Sequence, residues 1–250
     1  DISYLVNSGP AGDNTVHTEV NAVASVISTV EKKLGAGSLI IPQSTSASWD
    51  PDFDIPIWTQ GDSHVFGADA FQYECFAKSD FYNRMVLGGN IRARRTAGIT
   101  YAYGGMSIRV NGNASGYATI VVEINGTYTD TIAGIPVALR LEFRGLNNYI
   151  PDDFNHFVIG RDADLEWYVF LNGKRAGPPA MQEFKSGYAS SQFIHRGGQW
   201  LVGSMFVHRE YQQKYLRLAY PGWIDNVRLL LDRVEYTEDF TPPTAAYDYS

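Results

Sequence analysis

An all-β fold, a sandwich or jelly roll preceded by one short α-helix, is what this sequence predicts, and three observations predict it. Apolar residues recur at every second position in run after run beyond residue 38, the pattern of strands with one buried face. Asn-Gly pairs stand at 111–112, 125–126 and 172–173, between or beside those runs, where tight hairpins need them. Sixteen Tyr, thirteen Phe and five Trp accompany only 19% charged residues, which suits a sandwich or a binding surface rather than a helical bundle.

The helix is predicted first in chain order. In "NTVHTEVNAVASVISTVEKKLG", residues 14–35, Val16, Val20, Val23, Ile27, Val30 and Leu34 are spaced 4, 3, 4, 3, 4, a heptad seam. Asp13, Asn14 or Thr15 can cap its start and Gly35 its end. The stripe is rich in β-branched residues, so the helix needs packing partners. Val at both seam positions leans toward three strands, and the expectation is a trimer stem. Over three heptads the same spacing also suits a helix lying on its own domain.

Strands follow from about residue 38. "VALRLEF" places Val137, Leu139, Leu141 and Phe143 on one face and Ala138, Arg140 and Glu142 on the other. "FQYECFAKSDF", "GYATIVVEI", "LEWYVFLNG" and "GWIDNVRLLLD" are further strand candidates. Without a fixed repeat or a low-complexity linker, the chain divides into an arm and assembly helix, 1–37, and one β domain, 38–250. The tail "FTPPTAAYDYS" cannot continue a sheet interior, because paired prolines lack donors.

The 250 residues can bury a core without staples. Cys75 has no partner in the chain, and its aromatic setting suits a buried small residue rather than a reactive thiol. A net charge of -7 gives no broad pull toward nucleic acid or anionic membrane, which leaves proteins, sugars or metal ions as partners. The apolar runs are shorter than a bilayer requires, so no membrane insertion is expected. Residues 1–30 lack the basic start and hydrophobic core of a signal peptide. The chain starts at Asp1 rather than Met, as a processed or trimmed chain would.

Several segments together resemble the laminin-G-like, concanavalin A-like jelly roll, in the version found in bacteriophage virion proteins. "FQYECFAKSDF" is similar to that family's early strand, with Glu74 matching and Phe76 in place of a tryptophan. "FNHFVIGRDADLEWYVFLNGKRAG" resembles its central hairpin through His156, Arg161, Asp162, Tyr168, Asn172 and Gly173. "GWIDNVRLLLDRVEYTEDFTPPTAAY" resembles its closing strand and tail through Gly222, Ile224, Asp225, Val227 and Arg228, then Tyr236, Phe240, Pro242 and Pro243. The N-terminal heptad is similar to the short helices that open phage tail-fibre and spike modules. These patches cover the helix and about half of the β domain; 38–66 and 176–200 have no counterpart. The resemblance implies the fold more than the function, because this jelly roll hosts lectins, hydrolases and plain packing domains.

Motifs of chemistry are sparse. Asp162, Asp164 and Glu166 alternate as the carboxylates of jelly-roll glucanases do, but they fall at the tip of the central hairpin, where a solvated turn is expected. The five histidines show no zinc spacing. Asp50, Asp52 and Asp54 in "SWDPDFDIP" are oxygen donors of the kind calcium takes. Sugar binding asks for an exposed aromatic face ringed by polar groups; Trp49, Trp58, Trp200 and Trp223 are the candidates, Trp200 from an expected loop, although Trp223, like Trp167, falls in a predicted strand, where core packing is the default. Arg92, Arg94 and Arg95 read as an edge strand guarded against pairing.

The sequence therefore predicts a non-enzymatic phage virion protein, trimeric and on the particle exterior. It would act as a tail fibre or spike binding host-surface glycan, or as a capsid decoration protein binding its virion neighbours. The rival is a jelly-roll glycoside hydrolase acting on host polysaccharide.

Overall fold

The computed structural model describes residues 27–35, 37–41, 70–80, 83–96, 99–126, 137–183, 199–203, 205–209, 214–218 and 220–246. These residues form an antiparallel β-sandwich. In chain order the strands are β1 (Ile27–Ser28), β2 (Ser38–Ile41), β3 (Phe71–Ser79), β4 (Arg84–Thr96), β5 (Ile99–Gly112), β6 (Ala118–Gly126), β7 (Val137–Leu146) and β8 (Asn155–Arg161). They continue as β9 (Trp167–Leu171), β10 (Lys174–Arg175), β11 (Ala180–Glu183), β12 (Gln199–Val202), β13 (Met205–Arg209), β14 (Lys214–Leu218) and β15 (Gly222–Leu231). One sheet has the order β1-β2-β15-β3-β8-β9-β10 and the other β11-β7-β6-β5-β4-β12, with β13 and β14 forming a separate hairpin.

The chain passes repeatedly from sheet to sheet, and its closing strand β15 returns between β2 and β3, antiparallel to both. This is the predicted jelly-roll architecture. The core lies between the sheets, with Phe71, Tyr73, Phe157 and Leu171 from one facing Leu87, Ile108, Ile120 and Phe143 from the other, all buried. Each such side chain contributes about 1.5–3 kcal/mol on leaving water. The Tyr73 hydroxyl crosses the core to donate to the carbonyl of Leu87 at 2.7 Å, so its one polar atom is satisfied. Cys75 is buried in the same core, and burial pushes its thiol pKa up, away from reactivity.

In β7 Leu141 and Phe143 join the core as predicted, and Glu142 on the opposite face is also buried, while the side chains of Val137 to Leu139 lie outside the described ones. Of the three Asn-Gly pairs, 172–173 is the two-residue hairpin turn, joining β9 to β10 with φ of 48° and 77°. The pair at 111–112 instead ends β5, and the turn to β6 comes after it, at 113–117. There the Asn113 carboxamide oxygen accepts the N–H groups of Ser115 and Tyr117. The pair at 125–126 ends β6.

The last part of the predicted helix differs. Ile27 and Ser28 are a strand paired with Leu39 and Ser38, and residues 29–35 follow as bends. Val30 is 87% exposed and Leu34 half-buried. The physical reason is competition for the backbone. Ser28 Oγ accepts the N–H of Glu31, and Asp225 Oδ2 accepts those of Lys33 and Leu34 at 2.7 and 2.8 Å. Val16, Val20 and Val23 lie outside the described residues. No helix among the described residues is long and apolar enough to cross a membrane.

Candidate functional site

The two outer faces of the sandwich differ. On the seven-stranded sheet, residues 232–246 run as a strap across the outer face, so β3 and β8 are buried on both sides. Phe240 stacks on Tyr236 at 3.8 Å and meets His156 and Phe170 edge-on. Its N–H donates to the carbonyl of Gly173, and Asp239 accepts from Lys174 Nζ and the Arg175 backbone. Beneath the strap the fully buried Glu74 carboxylate accepts from Arg228 Nε, while Arg228 Nη2 reaches Glu235 at 2.6 Å. The Nε2 atom of His156 lies 3.5 Å from the second Glu74 oxygen. The strap thus covers the outer side of β3 and β8, while Lys78 and Trp223, farther along the same sheet, stay partly exposed.

The six-stranded sheet presents a different outer face, built by strand alternation from β5, β6 and β7. Arg109, Val121 and Glu142 form one row across the three strands, in which Val121 and Glu142 are buried. In the next, Asn111 pairs with Thr119, and Arg144 and Gly145 form the bulge that faces Thr119 between Ala118 and Ile120. The turn residue Tyr117 stands two residues before Thr119 and is 53% exposed. That turn is rigid. Besides the Asn113 bonds, Gly116 takes φ 83°, and its carbonyl accepts the N–H of Tyr149.

Behind it the loop 147–154 is pinned by buried Asn155. This side chain accepts the Ile150 N–H and donates to the Ile150 carbonyl, both at 2.8 Å, leaving Ile150 48% exposed beside the same rim. Tyr149 is buried under Gly112, its phenol pushed up to about 12 by burial.

Electrostatically the face is organised around Glu142, whose side chain is only 8% exposed. Arg140 Nη2 bonds one carboxylate oxygen at 2.6 Å; Arg144 bonds the other through Nε at 2.7 Å and through Nη2. The hydrogen bond from Arg144, then the charges of both guanidiniums, hold the Glu142 carboxyl below the usual glutamate range against the effect of burial. Such a group accepts hydrogen bonds; it does not lend a proton.

The glucanase-like carboxylates fall in the β8–β9 turn. Asp162 accepts from the Glu166 N–H and the Tyr168 hydroxyl, and Glu166 pairs with Arg175 at 2.8 Å. Three carboxylates on one strand face, as a jelly-roll hydrolase would need, are not formed there. Trp200 lies in β12, opposite Asn90, and not in a loop. Arg92, Arg94 and Arg95 lie in the end of β4 that pairs with β5 and extends beyond its register with β12, which stops at Ile91. Trp49, Trp58, Asp50, Asp52 and Asp54 lie outside the described residues; no group of three metal-ligating side chains occurs among the described ones. The structure brings together Tyr117, Asn111, Thr119 and Arg144, which the sequence did not single out. Only the Asn111-Gly112 pair, read as a hairpin signal, marked their neighbourhood.

No family model and no curated protein matches the chain. Among solved structures it is similar to the CBM40 of the Ruminococcus gnavus IT-sialidase bound to alpha2,3 sialyllactose, with a TM-score of 0.46 and 12% identity over 80% of this chain and 91% of that one. The same CBM40 bound to alpha2,6 sialyllactose gives a TM-score of 0.45 and 12% identity over 80% and 92%. An alginate lyase from Pseudomonas aeruginosa gives 0.39 and 11% over 84% and 87%.

Proposed function

We infer that this chain is a non-enzymatic display protein of a phage virion exterior, which recognises a host-surface glycan through the outer face of its six-stranded sheet. The observation that carries the glycan part is Tyr117, a half-exposed ring on a rigid turn with the amide of Asn111, the hydroxyl of Thr119 and the guanidinium of Arg144 in the adjoining row. Sugars ask for an apolar ring face with hydrogen-bonding groups beside it. The virion part is supported by the resemblance of the closing strand and tail to phage jelly rolls.

The non-enzymatic part is supported by Glu142, which two arginines hold ionised, and by the engagement of Asp162 and Glu166 in turn contacts. A glycosidase needs a carboxyl that keeps its proton to protonate the leaving group. Trimeric assembly belongs to the same reading, with the exposed Val30 as surface that a neighbouring copy would cover.

The test is binding of the chain to arrayed bacterial surface polysaccharides, with Tyr117→Ala as the control. Loss of about tenfold or more in affinity on removing the ring supports the assignment. Binding unchanged by Tyr117→Ala would move the site elsewhere, and release of reducing ends from a bound polysaccharide would replace the display protein by a hydrolase. Sedimentation of the chain decides between trimer and monomer.

A further inference from the structure

We propose that the glycan carries a carboxylate and that Arg144 is the residue that selects it; this rests on the glycan-binding reading above. The geometry is that of a positioned guanidinium. Glu142, nine-tenths buried, accepts from both Nε and Nη2 of Arg144, which fixes the guanidinium plane. Nη1 takes part in neither bond, and the Arg144 side chain is 60% exposed. An arginine anchored in this way offers a planar fork to an incoming carboxylate, with little side-chain freedom left to lose.

Arg140 and Arg144 both bond the carboxylate of Glu142, and Glu123 stands opposite Arg140 in the β6–β7 register. Arg144, 60% exposed against 28% for Arg140, is the guanidinium of this group that an acidic sugar would meet.

Spacing fits one saccharide unit. Tyr117 and Thr119 are two residues apart, about 7 Å along an extended backbone, and Thr119 faces the bulge residues Arg144 and Gly145. A sugar ring on Tyr117 brings its own carboxylate, or that of the next unit, to Arg144, while Asn111 and Thr119 meet the hydroxyls.

The experiment is calorimetric titration with uronic- and nonulosonic-acid oligosaccharides, each beside its carboxyl-reduced counterpart in which the acid has become a primary alcohol. The carboxylated member is expected to bind about tenfold tighter or more. Arg144→Ala should erase that preference, Arg144→Lys should restore only part of it, and Tyr117→Ala should weaken both members alike. Equal affinity for acid and alcohol, or a preference that survives Arg144→Ala, overturns the proposal while leaving glycan binding intact. Binding of no carboxylated sugar also overturns it, and the polysaccharide array then decides separately whether the face takes a neutral glycan.

Discussion

Two arginine–glutamate pairs face outward from the two sheets, and they do opposite things. On the seven-stranded sheet, Glu74 and Arg228 lie beneath the strap, the carboxylate fully buried and the guanidinium 13% exposed. On the six-stranded sheet, Glu142 is nearly as buried, but its partner Arg144 stands in solvent. The first pair closes a face and the second furnishes one. What separates them is the strap: a segment without strand structure, held by Phe240, Tyr236 and Asp239, covers Glu74 and Arg228, whereas Arg144 at the end of β7 remains exposed.

The largest effect should follow from breaking the sealed pair. Arg228→Ala leaves a carboxylate buried with its main countercharge gone, which costs about 3–5 kcal/mol. Chemical denaturation should show the midpoint falling accordingly, and the double variant Glu74→Gln with Arg228→Met should recover much of the loss, because neutral replacements of similar volume remove the stranded charge. A loss for Arg228→Ala no larger than that of a surface ion pair would mean that water reaches Glu74 and that the strap does not seal.

A smaller effect should come from the strap's anchor. Gly173 holds φ at 77°, and a Cβ there would run into the carbonyl of Phe240, whose N–H bonds the Gly173 carbonyl at 2.9 Å. Gly173→Ala therefore combines a strained backbone with a displaced strap, at about 1–3 kcal/mol. Hydrogen exchange should locate the damage, with the Phe240 amide exchanging faster and the amides of β5 and β6 unchanged. Uniform acceleration across both sheets would mean that strap and sandwich unfold together.

Much of the sandwich was legible in the sequence because alternation is a local property. "VALRLEF" declares its faces within seven residues, and β9 with its Asn172-Gly173 turn declares a hairpin. The rest depended on distant partners. The heptad from Val16 to Leu34 is a local helical signal, yet its last part is decided by Asp225, which takes two backbone N–H groups nearly two hundred residues away. "RVEYTEDF" reads as a polar tail, and nothing within it says that Phe240 will pack between the rings of His156 and Phe170. In β15 the phase shifts after Asp225, where Asn226 takes φ 50°, so alternation alone misplaces the residues beyond it.

The candidate site was missed for a related reason. A search for exposed indoles has no means of ranking Tyr117, whose exposure comes from a turn pinned by Asn113 and by the neighbouring loop. Arg144 reads in the sequence as one polar member of a strand. Its place in the bulge facing Thr119 exists only once β6 and β7 are in register.

The smallest effect sharpens the comparison from the open side. Arg144→Ala removes a solvent-exposed partner while Arg140 remains on Glu142, so the loss of stability at neutral pH should stay within about 1 kcal/mol and shrink at high salt. Acid supplies the check on sign. Because the Glu142 carboxyl is lowered from its ordinary value of 4.5, first by the Arg144 hydrogen bond, its contribution is full above that value and is lost as pH falls through the lowered folded value. Arg144→Ala moves the folded value back toward 4.5, so the gap between wild type and variant should be present at neutral pH and close in acid. A gap that stays constant into acid would mean that Arg144 stabilises by packing its stem and not by its charge. The guanidinium would then not be held by Glu142, and the fork that selects a carboxylate would lose its positioning group.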